Sequence, residues 1–355
     1  MDLIIIDQVQ FGYHTGNLNF CKYLRNNCSI TYICKDHGFS KIEMDEVRVV
    51  YVSRAGNILV RSIRFLNQIL SEIGSREKSI VFIKYVKGVS LALRLCKPSH
   101  YFVLDIRTGS VNKNRIKRWF YDSRLKFEAK FFKNVTIISQ GLADKLNIAH
   151  KAHILPLGAD IISYANKTFD QFRLIYVGTL VNRNIDVTIH GFKRFYDEFC
   201  SHITLNYTII GTGTLNEENL LRELVDQFGL NNAVTIMGKI PHTQIKPFFD
   251  NANIGVSYIP MTHYYDIQPP LKTFEYLLSG MPVIATRTSE NMKVINQKNG
   301  VLVGDSADEF YSGLKVLLEN RFNYDSKIIR DESKDHTWEI IVKNNLQKYL
   351  NAICE

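Results

Sequence analysis

The feature that most constrains this chain is a repeated alternation. Short runs of β-branched and aromatic residues recur along the whole length, separated by stretches whose apolar residues return every three or four positions. In the first half the runs fall at 3–7, 30–34, 47–52, 80–85, 101–106, 135–139 and 154–157. In the second they fall at 173–177, 205–210, 234–237, 254–258, 283–285 and 301–303. Most are continuously apolar, the pattern of parallel strands covered on both faces. Helical stretches at 59–73, 112–133, 185–200, 217–228, 242–251, 270–278 and 307–318 lie between them. Strand, helix, strand twice over predicts an α/β protein of two doubly wound, Rossmann-like domains, over 1–165 and 170–330. A last helix, within 335–355, has no strand after it. At 355 residues the chain is too long for one ordinary core and fits two.

The bulk numbers narrow the class. No stretch approaches about 18 uninterrupted apolar residues, so no transmembrane helix is expected. The opening Leu3-Ile4-Ile5-Ile6, flanked by Asp2 and Asp7, reads as a first strand rather than a secretory leader. Six cysteines, at 21, 28, 34, 96, 200 and 354, form no C-x-x-C pair, which predicts free thiols in a reducing cytoplasm. The net charge of +9 is unevenly spread: residues 1–168 hold 26 Lys/Arg against 13 Asp/Glu, and 169–355 hold 18 against 22. The first half is therefore expected to face something anionic, such as phospholipid head groups or a phosphate-bearing substrate, unless the charge serves solubility alone. The basic stretch 112–133 concentrates it. Its Ile116, Trp119, Phe120, Phe127 and Phe131 read as a core-facing side. Nucleic acid, a third anionic candidate, would need aromatics interleaved with cations on an exposed surface; the basic stretch gives only a weak hint of that, and nucleic acid is not an expected partner.

In open α/β sheets ligands bind beyond the carboxyl ends of the strands, so the loops there carry the candidates. "YYDIQPPLKTFEYLLSGMPVIAT", residues 264–286, reads as loop, helix, stop and buried strand, with proline in the first helical turn and glycine past the end. Lys272 and Glu275 share one face of that helix, as a phosphate-binding helix start or as a surface ion pair. "YVGTLVNRN", 176–184, puts Gly178, Thr179 and Arg183 after a strand; "IIGTGTL", 209–215, puts Gly211, Thr212 and Gly213 after the next. In the first half, "FGYHTGNLNF", 11–20, offers His14 and Gly16 before a helix, and "FVLDIRTGS", 102–110, offers Asp105 and Arg107 as a salt bridge or as ligands of a hydroxyl and a phosphate.

Taken together, "VGTLVNRN", "IIGTG", "VTIMGKIPHTQI", "ANIGVSYIP" and "PPLKTFEYLLSGMPVIAT" resemble retaining glycosyltransferases of the GT-B fold, family four or group 1. The likeness runs almost continuously over 172–304, with "LGAD" and "IISQGLADKL" extending it backwards. It implies two Rossmann-like domains facing across a cleft and a terminal helix returning to the first. It also implies metal-independent hexosyl transfer, with retention, from a nucleoside diphosphate sugar to a glycan or lipid-linked glycan, with no resident cofactor and no metal; the chain has no D-x-D triplet. Glu275 matches the carboxylate that holds the ribose hydroxyls. The family's loop cation is carried over to Arg183, because its usual Arg is Thr179 here and its usual Lys is Asn184; Lys272 is a second cation. The first carboxylate of the family pair falls on Ile267, leaving Asp266, or Gln268 and the backbone, to take its place beside Pro270 and Leu271. The acceptor side falls to His14, Gly16, Asp105 and Arg107. The basic charge of the first half adds the expected setting: cytoplasmic, peripheral on the inner face of an anionic membrane, in bacterial surface polysaccharide synthesis. A GT-B epimerase and a non-catalytic nucleotide-sugar-binding protein are the competing readings.

Overall fold

The structure, a computed structural model, describes residues 1–96 and 100–354. The continuously apolar runs become two all-parallel sheets, as a doubly wound α/β protein requires. The first contains β1 (Asp2–Ile6), β2 (Ser29–Lys35), β3 (Val47–Val52), β4 (Ile80–Lys84), β5 (Tyr101–Ile106), β6 (Asn134–Ile137) and β7 (Ala152–Ile154), in spatial order β3-β2-β1-β4-β5-β6-β7. The second contains β8 (Gln171–Val177), β9 (Thr204–Ile210), β10 (Val234–Gly238), β11 (Ile254–Ser257), β12 (Val283–Thr286) and β13 (Gly300–Val303), in order β10-β9-β8-β11-β12-β13. The chain forms two units, Met1–Gly158 with the segment from Trp338 onward, and Ala159–Thr337.

In the first unit the crossovers are α1 (Thr15–Leu24), α2 (Ile58–Gly74), α3 (Val89–Cys96), α4 (Arg115–Ala129) and α5 (Gln140–Lys145). Asn57, Asn114 and Ser139 cap α2, α4 and α5 by accepting from backbone N–H groups of the first turn, which is why these helices start there. Leu3, Ile5, Phe20, Tyr32 and Phe82 form one side of the core, completed by Trp338, Val342, Leu346 and Leu350 of the terminal segment.

The second unit uses α6 (Ile185–Phe199), α7 (Leu215–Gln227), α8 (Lys246–Asn251), α9 (Leu271–Leu278), α10 (Ala307–Glu319) and α11 (Ser326–Ser333). The single helix expected over 242–251 is split into a 3₁₀ turn, His242–Gln244, and α8, because Pro247 suits a first helical turn and not an interior. Thr214 and Glu217 close a capping box at the start of α7. The terminal segment runs as α12 (Trp338–Ile340), a π-helical turn (Ile341–Leu346) and α13 (Gln347–Cys354).

Two expectations change. Trp119 and Phe120 of α4 are 62% and 63% exposed, with Ile116, Phe127 and Phe131 also open, while Leu125, Glu128 and Ala129 face inward. The aromatic stripe is therefore the outer side of α4, not its core-facing side. Helix α9 is buried nearly all round instead of amphipathic. Among the described residues no helix is long and apolar enough to cross a membrane, and Cys21, Cys28, Cys34, Cys200 and Cys354 carry free thiols.

Candidate functional site

In a sheet ordered 3-2-1-4-5-6 the chain reverses direction between the first and fourth strands, and the loops after those two strands splay apart to leave a crevice. In the second unit these strands are β8 and β11. The loop after β8 carries Gly178, Thr179 and Arg183; the segment after β11 carries Tyr265, Asp266, Gln268 and Pro270 and leads into α9 with Leu271, Lys272 and Glu275.

Helix α9 is held by three attachments. Tyr276 lies on Gly255 of β11, where a Cβ would come within 2.3 Å of its ring. Its hydroxyl accepts from Val177 N–H at 2.8 Å, at the end of β8. Thr273 is tied to Ser257 at 2.6 Å and to Asn291 at 3.0 Å. Thr273, Tyr276 and Leu277 occupy the inner face, so Lys272 and Glu275 turn toward the crevice side. At the far end Gly280, with φ of 72°, makes the left-handed stop expected of it.

The Lys272 ammonium is buried and no described residue accepts from it. It lies 3.8 Å from the centroid of Tyr176, and a Cβ on Gly178 would stand 3.5 Å from its Nζ. Burial and the nearby Arg183 guanidinium pull its pKa well below the usual lysine value, against a smaller opposing pull from Glu275. Arg183 stacks 4.2 Å from the centroid of Tyr265, and its Nη1 is buried without an acceptor among the described residues. Glu275 is 6% exposed. No ion pair links it to Lys272; its partner is His242, whose Nε2 lies 3.3 Å from Glu275 Oε1. That bond, set against partial burial, raises the His242 pKa above its ordinary value, with smaller help from the Glu275 and Asp160 charges. The i,i+3 spacing on α9 thus places two opposite charges near one another without pairing them.

The second glycine loop supports the first. A Cβ on Gly211, with φ of 157°, would sit 1.8 Å from the Gly178 carbonyl oxygen, so only glycine lets the two backbones meet. Leu180 N–H donates to the Thr212 carbonyl at 2.9 Å. Gly213 N–H donates to Glu218 at 2.9 Å, and Asn182 N–H to Glu217 at 2.8 Å. Thr179 caps its own turn by accepting from Val181 N–H at 3.2 Å. Asp266 accepts from the Ser289 N–H at 2.8 Å and the Ser289 hydroxyl at 2.5 Å, one bond on each oxygen. Gln268 donates to the Tyr264 carbonyl at 2.5 Å. Pro270 stands at the N-cap position of α9, extended, with no side-chain cap beyond it.

In the first unit the corresponding switch lies between β1 and β4. Asp7 accepts from Asn17 at 2.7 Å and lies 3.5 Å from Lys84 and 3.8 Å from His14. His14 caps α1, its Nδ1 accepting from Asn17 N–H at 3.2 Å. Burial, with Lys84 adding to it, pushes the His14 pKa down to about 4, so the ring is neutral at pH 7. Gly16 lies beneath that ring, where a Cβ would come within 3.2 Å of it. Asp105 is fully buried, accepting from Thr136 at 2.8 Å, and burial raises its pKa. Arg107 lies 3.7 Å from Asp105 and donates to the carbonyls of Leu155 at 2.7 Å and Pro156 at 3.2 Å. This pair ties the end of β5 to the segment after β7.

Residues 171–320 match the family model described as Glycosyl transferases group 1. No curated protein matches the chain in sequence. Among solved structures, sucrose-phosphate synthase from Thermosynechococcus elongatus superimposes with a TM-score of 0.79 at 15% identity, over 100% of this chain and 99% of that one. HepE of Anabaena, solved with UDP and glucose, gives 0.74 at 14%, over 99% and 100%. The lipopolysaccharide outer core galactosyltransferase WaaB gives 0.70 at 16%, over 100% and 99%. At such identities the likeness establishes the fold, which is GT-B.

Proposed function

We propose that the chain, which carries a group 1 glycosyltransferase domain over residues 171–320, transfers a sugar from a nucleoside diphosphate sugar. The observation that carries this reading is the pair Arg183 and Lys272, each with a buried donor atom lacking an acceptor, beside Glu275 at the switch point of the second sheet. Two crowded, desolvated cations are costly in an empty site and well matched to a diphosphate. The diphosphate lies along the Gly178–Thr179 loop at the start of α9, and Glu275 accepts from the ribose hydroxyls. Pro270, Leu271 and Gln268 border the donor; Gly211, Thr212 and Gly213 act by holding the Gly178 loop. Asp266 contributes through the turn it anchors on Ser289.

As the bond from the anomeric carbon to the phosphate oxygen lengthens, positive charge grows on the sugar and negative charge on the departing diphosphate. Arg183 and Lys272 meet the second charge from fixed positions, without a divalent metal. Retention, and a hexose as the group moved, rest on the family resemblance. HepE, a relative in fold, was solved with UDP and glucose, which supports a nucleotide-sugar donor.

The acceptor, a glycan or lipid-linked glycan, is assigned to the first unit, where the His14–Gly16 turn is the contact and Asp105 with Arg107 the support beneath. The outward face of α4, bearing Ile116, Trp119, Phe120 and Phe127 among Arg115, Lys117, Arg118 and Lys126, suits the interface of an anionic membrane: aromatics enter the headgroup boundary while cations meet phosphates. On this reading the enzyme works at the cytoplasmic membrane face, in surface polysaccharide assembly. The test is thermal: UDP, GDP, ADP and their sugars are screened, and the cognate donor at about 100 times its Kd stabilises by roughly 2.7 kcal/mol. A flat response to all of them refutes the reading.

A further inference from the structure

A second gathering of cations lies in the first unit. A cavity of 190 Å³ is lined by Gln8, Lys35, His37, Arg54, Ile58 and Arg61, with Ser62, and no carboxylate among the described residues lines it. The fold builds it from several pieces of chain: the loop after β1, the end of β2 and the turn beyond it, the segment after β3, and the first turns of α2. Lys35 Nζ donates to Gln8 Oε1 at 2.8 Å. His37 is committed at both ring nitrogens, accepting from Arg54 Nη1 at 2.9 Å and donating to the Gln8 carbonyl at 2.9 Å. Arg61 Nε is buried, and no described residue accepts from it. Burial, with Arg54 and Arg61 adding to it, holds the Lys35 pKa down.

Three cations around one small cavity repel one another, and an anion between them would relieve that repulsion. The volume decides which kind. It falls below the roughly 300 Å³ at which small-molecule pockets begin, which suits a phosphate-sized head. Beside it, Ile58 and Leu59 are 81% and 68% exposed, with Val60 and Ile63 open on the same helix. A soluble anion has no use for these side chains; an amphiphile does.

We propose that Lys35, Arg54 and Arg61 hold the phosphate of a lipid phosphate whose hydrocarbon lies against Ile58 and Leu59. The inference rests on the proposed function only in making this lipid an acceptor, since binding is read without transfer. The full-length chain is sedimented with phosphatidylcholine vesicles containing either phosphatidic acid or an equal charge of phosphatidylglycerol. The expected result is a preference for phosphatidic acid that Arg61→Gln and Lys35→Gln each lower about fivefold. Lys22→Gln, which removes the same charge from an exposed position on α1, leaves it intact. Equal binding to both lipids overturns the proposal, as does an equal loss with Lys22→Gln. So does a site for soluble phosphate, recognised when inorganic phosphate raises the melting temperature of the wild type but not of Arg61→Gln while both vesicles bind alike. Melting temperatures of both variants are taken, so that misfolding of one leaves the other as the test. The nucleotide screen is run without vesicles, and the two failures are therefore separate results.

Discussion

His242 Nε2 lies 3.3 Å from Oε1 of Glu275, so the carboxylate assigned to the ribose is steadied by an imidazole from the loop after β10. The bond raises the folded-state pKa of His242 above its ordinary value of about 6.5. A raised folded-state value means that the stabilisation is full below about pH 6.5 and disappears as pH rises through the folded-state pKa. The melting-temperature gap between wild type and His242→Ala should be widest near about pH 6 and close at alkaline pH. A gap of constant size from acid to base would show that the imidazole acts by packing alone.

Nucleotide binding should draw a proton onto Lys272. Burial and Arg183 depress its pKa in the free protein, and an arriving diphosphate reverses that effect. Affinity should therefore fall as pH rises above the depressed value, with proton uptake visible by calorimetry in buffers of different ionisation enthalpy. Lys272→Met should abolish the uptake and most of the nucleotide shift; Arg183→Ala and Glu275→Ala should each remove most of the shift. Undiminished uptake in Lys272→Met would remove the lysine from the donor site.

The contact of the two glycine loops can be broken by one methyl group. In Gly211→Ala the new Cβ meets the Gly178 carbonyl at 1.8 Å and the backbone is held at a φ that alanine rarely adopts, so the loss should reach at least about 2 kcal/mol. Gly229→Ala shares a positive φ, of 64°, but meets nothing within 4 Å, and should cost only about 1–2 kcal/mol. Urea denaturation gives both values. Comparable losses would mean that the close approach is easily relaxed.

The exposed face of α4 makes its own forecast. Trp119→Ser with Phe120→Ser should weaken sedimentation with anionic vesicles at low salt severalfold and leave the melting temperature unchanged, because neither ring is buried. A fall in melting temperature would return these rings to a packing role. Retention of single-stranded RNA at the same salt, lost in the double variant, would instead mark a nucleic-acid surface.

The strands were legible because parallel strands covered on both faces are largely apolar, and runs such as Ile80–Lys84 are too short for a helix and rich in β-branched residues. Lys272 and Arg183 were reachable because glycine, proline and the end of a strand announce a loop at the crevice. Burial was not legible. Periodicity marked an apolar stripe on α4 but not which side the sheet would cover, and Leu125 and Ala129 took the inside. The same gap hid the true state of α9, where spacing suggested an ion pair and packing separated it. Longer-range pairings left weaker traces still: His242 reaches Glu275 across 33 positions and Asp266 reaches Ser289 across 23, each through a loop whose path only the sheet order fixes. Arg61 and Lys35 meet for the same reason, from separate elements of the first unit.

The hydroxyl of Tyr276 occupies the place where a neighbouring strand would ordinarily accept from Val177. A side chain thereby rivets the middle of a helix to the tip of a strand, and the lysine one turn earlier inherits that fixity. Residues 262–270 lie ahead of that rivet, and the two consecutive prolines among them, Pro269 and Pro270, stiffen the backbone that leads into the helix.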